Sequence, residues 1–363
     1  MSSKYLRTIT TLAFSIAGLL FVLTPAAADP IADFYKGKKL ILIISSSVGG
    51  GYNRYARTVA RHIGKYIPGN PAIIAKNMPG AGGIKATNYL YNVAAQDGST
   101  IGSISNTVLF EPLWSNKLAR FDVHKFNWIG SANSEVSMIV VWHTAPVKTL
   151  QDLLKTEITV GATGAASTPA FFGRLQNALL GTKMKIINGY KSMTTAFFAM
   201  EKGEVDGFPS AFYSSLKSRW GHMLDKKQIR ILVQVGLKKH PELPHIPLAH
   251  EIASSEENRA LFKLASAPLA IGRPSVAPPG VPKDRVKALR AAFAAAMKSA
   301  GYIKDAKKQR LETGNWVSGA RIDGIIKSSY NAPRPVVMRL TAIQMELQKL
   351  KRERKKRRKS KKK

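Results

Sequence analysis

Three consecutive glycines, Gly49, Gly50 and Gly51, followed by Tyr52 and Asn53, stand between an apolar run at 40–44 and a stretch with helical spacing. A glycine turn that opens a helix points several backbone N–H groups, unobstructed by side chains, at the positive end of the helix dipole. This arrangement suits an anion. Asn53 is expected to act as the helix N-cap or to face a ligand. The turn is no Walker loop, because no Gly-Lys-Ser/Thr closes it, and its spacing fits GxGxxG poorly. A second glycine loop, Asn77-Met-Pro-Gly-Ala-Gly-Gly83, follows an apolar segment at 72–75 and precedes a helical stretch at 84–93. Two such loops, each at the carboxyl end of an apolar strand, are how open α/β sheets build a ligand crevice. A third loop of small and hydroxylated residues, 162–168, repeats the pattern later in the chain.

The elements that must hold these loops alternate between strand and helix. The spacing predicts strands at 40–44, 72–75, 100–104, 128–132, 138–142, 158–161, 185–187 and 229–235, with a strand-like Phe208. Helices are expected after 53, over 84–93, 149–155, 171–179, 193–202, around 260–264 and over 285–299. An extended piece at 267–271 and a proline-rich turn at 274–282 separate the last two. After the first glycine loop the apolar positions Ala56, Val59, Ala60, Ile63 and Ile67 fall on one helix face. Alternation of this kind implies a parallel or mixed sheet with helices on both sides.

The chain has 363 residues, no cysteine and a formal net charge of +34. The missing cysteines exclude disulfides, thiolate metal sites and a cysteine nucleophile. The seven histidines show no HExxH spacing and no triad, so neither a metal nor another cofactor is expected. Lys4 and Arg7, the apolar core at 12–23 and Ala26-Ala27-Ala28 have the layout of a secretory signal peptide, cleaved near Ala28. The apolar core is shorter than the roughly 20 residues that span a bilayer. At the other end, the last sixteen residues hold twelve Lys or Arg against one acid, Glu353. This tail is expected to be disordered by self-repulsion. The export signal, the lack of zinc-finger or RNP-like spacing and the placing of the densest charge in a tail argue against a nucleic-acid partner.

The motifs GGGYNRYAR at 49–57, NMPGAGGIKATNYLYN at 77–92, QDGSTIG at 96–102, the small-residue loop at 161–168, GEVDG at 203–207 and APPGVPKDRVKAL at 277–289 resemble the Bug family. These are the extracytoplasmic solute receptors, related to TctC, of tripartite tricarboxylate transporters. The resemblance implies an α/β, two-lobed, periplasmic-binding-protein-like fold of type II, which closes on its ligand like a flytrap. It divides the chain into a signal peptide (1–28), the first part of lobe 1 (29–126), lobe 2 (127–238), a returning part of lobe 1 (239–346) and the basic tail (347–363). It further implies a periplasmic monomer without catalysis that captures a small carboxylate and delivers it to membrane permease subunits.

The ligand contacts implied are Gly50, Gly51, Tyr52, Asn53, Ala81, Gly82, Gly83 and Asn106 from lobe 1, and Ser167, Thr168, Tyr190 and Asp206 from lobe 2. Two positions depart from the family pattern. Asn53 stands where an Asp is common, and Ala170 where a His follows the serine of the lobe-2 loop. Two other readings are a receptor that signals to a membrane sensor kinase and an exported α/β hydrolase. The hydrolase lacks a Gly-x-Ser-x-Gly elbow.

Overall fold

A computed structural model describes residues 29–113, 117–163 and 167–343. The expected signal peptide and basic tail lie outside the described residues. Two mixed sheets form. The first takes β1 (Lys39–Ile44), β2 (Ala72–Asn77), β3 (Thr100–Ser103), β4 (Asn127–Ser131), β10 (Pro274–Ala277) and β11 (Val317–Ser318) in the order β11-β4-β10-β3-β1-β2. The second takes β5 (Ser137–Trp142), β6 (Ile158–Ala162), β7 (Met184–Asn188), β8 (Gly207–Phe212) and β9 (Ile229–Val235) in the order β7-β6-β8-β5-β9. Within them β1 runs parallel to β2 and β3, and β6 runs parallel to β7 and β8. The strands β10 and β5 are antiparallel to their neighbours.

The helices cover these sheets. On the first lie α1 (Pro30–Tyr35), α2 (Gly51–Ile63), α3 (Ile84–Asn92), α9 (Lys283–Lys298), α10 (Ala300–Lys308) and α11 (Gly319–Tyr330); the second carries α4 (Leu150–Lys155), α5 (Thr168–Leu180), α6 (Met193–Glu201) and α7 (Tyr213–Asp225). The stripe read from the sequence is the stripe that packs: Ala56, Val59 and Ile63 of α2 are buried with Leu42, Leu289, Phe293 and Tyr302. Burial of each large apolar side chain in this layer stabilises by roughly 1.5–3 kcal/mol.

On the rim of the layer Asp305 accepts from Arg61 Nε and His62 Nε2, both at 2.9 Å. The Arg61 hydrogen bond, joined by that of His62, holds the Asp305 carboxyl down at about 2, against an ordinary 3.8. A depressed carboxyl pKa contributes stability above the unfolded value and loses it as pH falls through the folded one. Asp305→Asn is therefore expected to cost no more than about 1 kcal/mol at neutral pH. Urea unfolding of the two proteins should converge as pH falls from about 4 towards about 2; a gap unchanged over that range would refute the assignment.

Three expected boundaries move. Residues 127–131 form β4 inside the first sheet, so the chain crosses to the second sheet at 132–136 rather than after 126. The return does not begin at 239: Gln234 N donates to Pro247 O and Ala249 N to Gln234 O, which keeps the proline-rich stretch against β9. The chain rejoins the first sheet only at β10. Finally, the piece at 267–271 is not extended but ends α8 (Glu256–Ile271), with Pro268 inside the helix, and the proline-rich turn contains β10. Nine of the eleven residues from Leu261 to Ile271 are buried, Pro268 among them, and this packing overrides the helix-breaking proline.

Candidate ligand-binding cleft

The helix α2 starts at Gly51, with extended Gly50 (φ −79°, ψ 169°) as its N-cap and no acid in the first turn. No side chain of the helix's own first turn therefore balances its dipole. Asn53 is not the cap. It is the third residue of α2, buried, and its Oδ1 accepts from Arg57 Nε at 3.1 Å and from Asn77 Nδ2 at 2.9 Å. Asn77 also accepts from Arg57 Nη2 at 2.9 Å and donates to Ser46 O at 2.8 Å. This network ties the root of the second glycine loop to α2, and both of its partners for Arg57 are neutral amides.

In the second loop Gly80, Ala81, Gly82 and Gly83 all have positive φ, at 151°, 47°, 69° and 111°. Only a glycine-rich segment follows such a path without strain of about 1–2 kcal/mol per residue. Gly83 packs closely: a Cβ there would lie 3.0 Å from Val108 Cγ2 and 3.4 Å from Ser45 Oγ. The Ser45 hydroxyl, just past β1, is buried with no hydrogen-bond partner. Asn106, past β3, is fully buried and spends its polar groups on neighbours. Its N–H donates to Tyr52 Oη at 3.1 Å, its Oδ1 accepts from Tyr52 Oη at 2.8 Å, and its Nδ2 donates to Pro268 O at 2.7 Å. Asn106 thus positions Tyr52, whose phenol burial pushes its pKa upward.

On the second sheet Ser167 is the N-cap of α5, yet its hydroxyl makes no cap bond and is buried without a partner. Thr168 is the first residue of that helix. Tyr190, past β7, lies over the carboxyl end of β6, where a Cβ on Gly161 would be 3.1 Å from its Cε2. Ala170 is wholly buried inside the lobe, so its position faces packing. Residues 164–166 of the third loop lie outside the described residues.

Asp206 is not brought to this group. It precedes β8 at the amino end of the strand, and its Oδ2 accepts from Thr159 N at 2.7 Å and Thr159 Oγ1 at 2.8 Å. The other sites follow the carboxyl ends of β1, β2, β3, β6 and β7. Because β8 is parallel to β6, the opposite end of the second sheet holds Asp206. Asp206→Asn is expected to leave ligand affinity unchanged and to cost about 1–2 kcal/mol of stability, read by titration and by urea unfolding; weakened binding would return Asp206 to the site.

A residue the sequence reading passed over joins the two carboxyl ends. Arg273, between α8 and β10, is buried, and its guanidinium faces Tyr52 and Tyr55 of α2 and Phe212 at the end of β8. It is paired with buried Glu135 from the other crossing segment. Its Nη2 also donates to Ser214 Oγ at 3.0 Å, on α7. The signal available was a lone cation between a glycine and a proline after an apolar run. Further contacts bring α7 to the first loop: Arg219 Nη1 donates to Gly49 O at 3.0 Å and Arg54 Nη1 to Ser218 Oγ at 3.1 Å. Burial, with Arg219 and Arg273 nearby, lowers the Arg54 pKa below the usual guanidinium value. The turn at Gly49–Gly51 is a region of concentrated positive charge.

Comparison with known proteins shows the family of the chain. The profile described as "Tripartite tricarboxylate transporter family receptor" matches residues 55–328. The chain belongs to that family. A curated relative, the UPF0065 protein in the TAR-I ttuE-ttuC' intergenic region of Agrobacterium vitis, is 27% identical over 183 residues, which is 48% of this chain and 51% of the relative. The match thus spans about half the length of that protein.

Solved structures similar to this receptor-family chain cover more of it. The periplasmic binding protein BugD aligns with a TM-score of 0.65 at 17% identity, over 86% of this chain and 98% of its own. MatC of Rhodopseudomonas palustris, solved with bound malate, aligns with a TM-score of 0.62 at 19% identity, over 82% and 99%. A second R. palustris protein, solved with adipate, reaches 0.65 at 17% identity, over 84% and 98%. At these identities the likeness is one of fold, and the two-sheet α/β architecture is that of periplasmic binding proteins.

Proposed function

We propose that this family member is an exported, non-catalytic receptor that captures a small carboxylate between its two sheets and presents it to the membrane subunits of a tripartite transporter. The observation that carries this reading is the meeting of the α2 N-terminus, whose first turn holds no acid, with Arg273 and with Ser218 and Arg219 of α7, the helix that follows the carboxyl end of β8. Gly50, Gly51, Tyr52 and Asn53 form one wall with Ala81, Gly82 and Gly83, and Asn106 fixes Tyr52. Ser167, Thr168 and Tyr190 form the facing wall. Preorganised N–H donors in a cleft that sheds water hold a carboxylate strongly, since they need not reorient when it binds. A ligand that prefers the closed arrangement shifts the population toward it, and that form is what a permease would recognise. Malate and adipate bound to the R. palustris relatives support the ligand class.

Among the described residues no group of histidines and acids is arranged to hold a metal, and no helix is long and apolar enough to cross a membrane. The test is a thermal-shift screen of the chain lacking residues 1–28 against mono-, di- and tricarboxylates, acidic amino acids and aromatic acids. A ligand at 100 times its Kd stabilises the folded state by about 2.7 kcal/mol, a rise of several degrees. A flat response across the panel would refute the reading. Gly82→Val, at φ 69° but with open space around its Cβ, is expected to distort the second loop and abolish that rise while the protein stays folded.

A further inference from the structure

Arginine carries five N–H donors in a planar fork and cannot shed its charge, so a buried guanidinium with an unused edge is costly unless something completes it. Arg273 is 2% exposed. Its Nη1 is held by Glu135, and its Nη2 donates to Ser214 Oγ at 3.0 Å and, weakly, to Ser215 Oγ at 3.3 Å. Its Nε is buried with no partner. The incomplete edge, Nε with Nη2, is the edge turned to the first turn of α2. A Cβ on Gly51 would lie 2.8 Å from Nη2 and 3.4 Å from Nε. The ring of Tyr55, with its centroid 4.3 Å from the guanidinium carbon, stacks on the group and keeps water off its face.

We propose that Arg273 is the side-chain anchor of the ligand, taking a carboxylate in a bidentate pair on its Nε–Nη2 edge while Glu135 grips Nη1 and orients the fork. The inference rests on the receptor reading of the same cleft and adds to it a charged, planar recognition element. Backbone N–H groups donate to any oxyanion of suitable size, whereas a guanidinium edge matches the two coplanar oxygens of a carboxylate. The Ser215 contact, the longest of the set, is the one an incoming oxygen displaces. Glu135 cancels only the charge of Arg273. Arg54 and Arg219 stand close by, and α2 has no acid in its first turn, so the entering anion still meets net positive potential. Gly51 serves the anchor directly, because any side chain there would push the guanidinium away.

The experiment is isothermal titration of the mature chain with malate, adipate, citrate, glutamate and benzoate, followed by titration of the tightest-binding acid and its monoamide into three proteins. These are the wild type, Arg273→Lys, and the double variant Glu135→Leu/Arg273→Met, which removes both charges at similar volume. The lysine variant keeps the charge and loses the fork; it is expected to bind the acid at least about tenfold more weakly, and the double variant about a hundredfold more weakly. Both variants should keep a cooperative thermal unfolding transition. The preference for acid over amide should also collapse in the double variant, a change that a general loosening of the cleft would not produce. Should the double variant not fold, the lysine variant decides alone. Wild-type affinity and acid preference in the folded variants would overturn the anchor and leave the receptor reading standing. Failure of the wild type to bind any of the five acids would overturn both.

Discussion

Replacing Gly272 by alanine is expected to destabilise the protein by about 2–5 kcal/mol. Gly272 follows α8 with φ 69° and ψ −111°, a conformation that residues with a Cβ scarcely adopt. Its new Cβ would lie 1.8 Å from the carbonyl oxygen of Asn133 and 2.7 Å from the carbonyl carbon. Both atoms are backbone, so no rotamer change relieves the overlap, and the crossing segments would have to part. The left-handed backbone costs about 1–2 kcal/mol and forced overpacking a further 1–3 kcal/mol. Urea unfolding measures the sum. A loss below about 1 kcal/mol would mean that the crossing at 272–273 yields easily, and that the tight approach to 133–134 is not a structural requirement.

The second large effect concerns the ion pair that the same crossing brings together. Glu135→Leu alone leaves the Arg273 guanidinium buried and unpaired, and also strands Ser214 Oγ and Asn133 Nδ2, which donate to Glu135 Oε1 at 2.5 and 2.6 Å. Breaking one side of a buried pair typically costs 3–5 kcal/mol, whereas replacing both partners by apolar groups is often neutral or better. The expected result is therefore a single variant destabilised by about 3–5 kcal/mol and a double variant, Glu135→Leu/Arg273→Met, that recovers part of that loss, the stranded Ser214 and Asn133 groups keeping the remainder. A double-mutant cycle in urea reads the coupling. Additive losses would show that the pair contributes no mutual stabilisation, and that its place in the cleft has another cause.

Both effects fall where the chain passes between the sheets, and this is also where sequence reasoning was least informative. Alternating apolar runs and helical stripes identified β1, β6, β9 and α9 to within about two residues, because a strand or helix buried on a defined face carries that face in its own spacing. Glycine loops at 49–51 and 80–83 announced themselves for a similar reason: a left-handed path and an open helix N-terminus are local demands, met by local residue types. The motifs built on them were specific enough to point to the receptor family now matched over residues 55–328.

Other placements were decided elsewhere in the molecule. Asn53 sits three residues past the cap, Gly50, and Asn77 and Arg57, 24 residues after it and 4 residues after it, claim its oxygen. Asp206 reads as a polar residue in a glycine-rich turn beside the site, yet the strand direction of β8 sends it to the opposite end of the sheet, against Thr159. The division between the two halves moved because β4 pairs with β10, a strand 150 residues later, and because residues 247–249 add to β9 rather than returning.

By itself the sequence determined most of the element types, though not those at 267–277, together with the glycine loops, the absence of thiol chemistry and the excess of positive charge, since each is a property of residues in their own neighbourhood. Only the tertiary structure decided that Arg273 and Glu135, 138 positions apart, share one buried site between the sheets. The free energy of that pair lies in burial and mutual geometry, and neither exists until both crossing segments have come together.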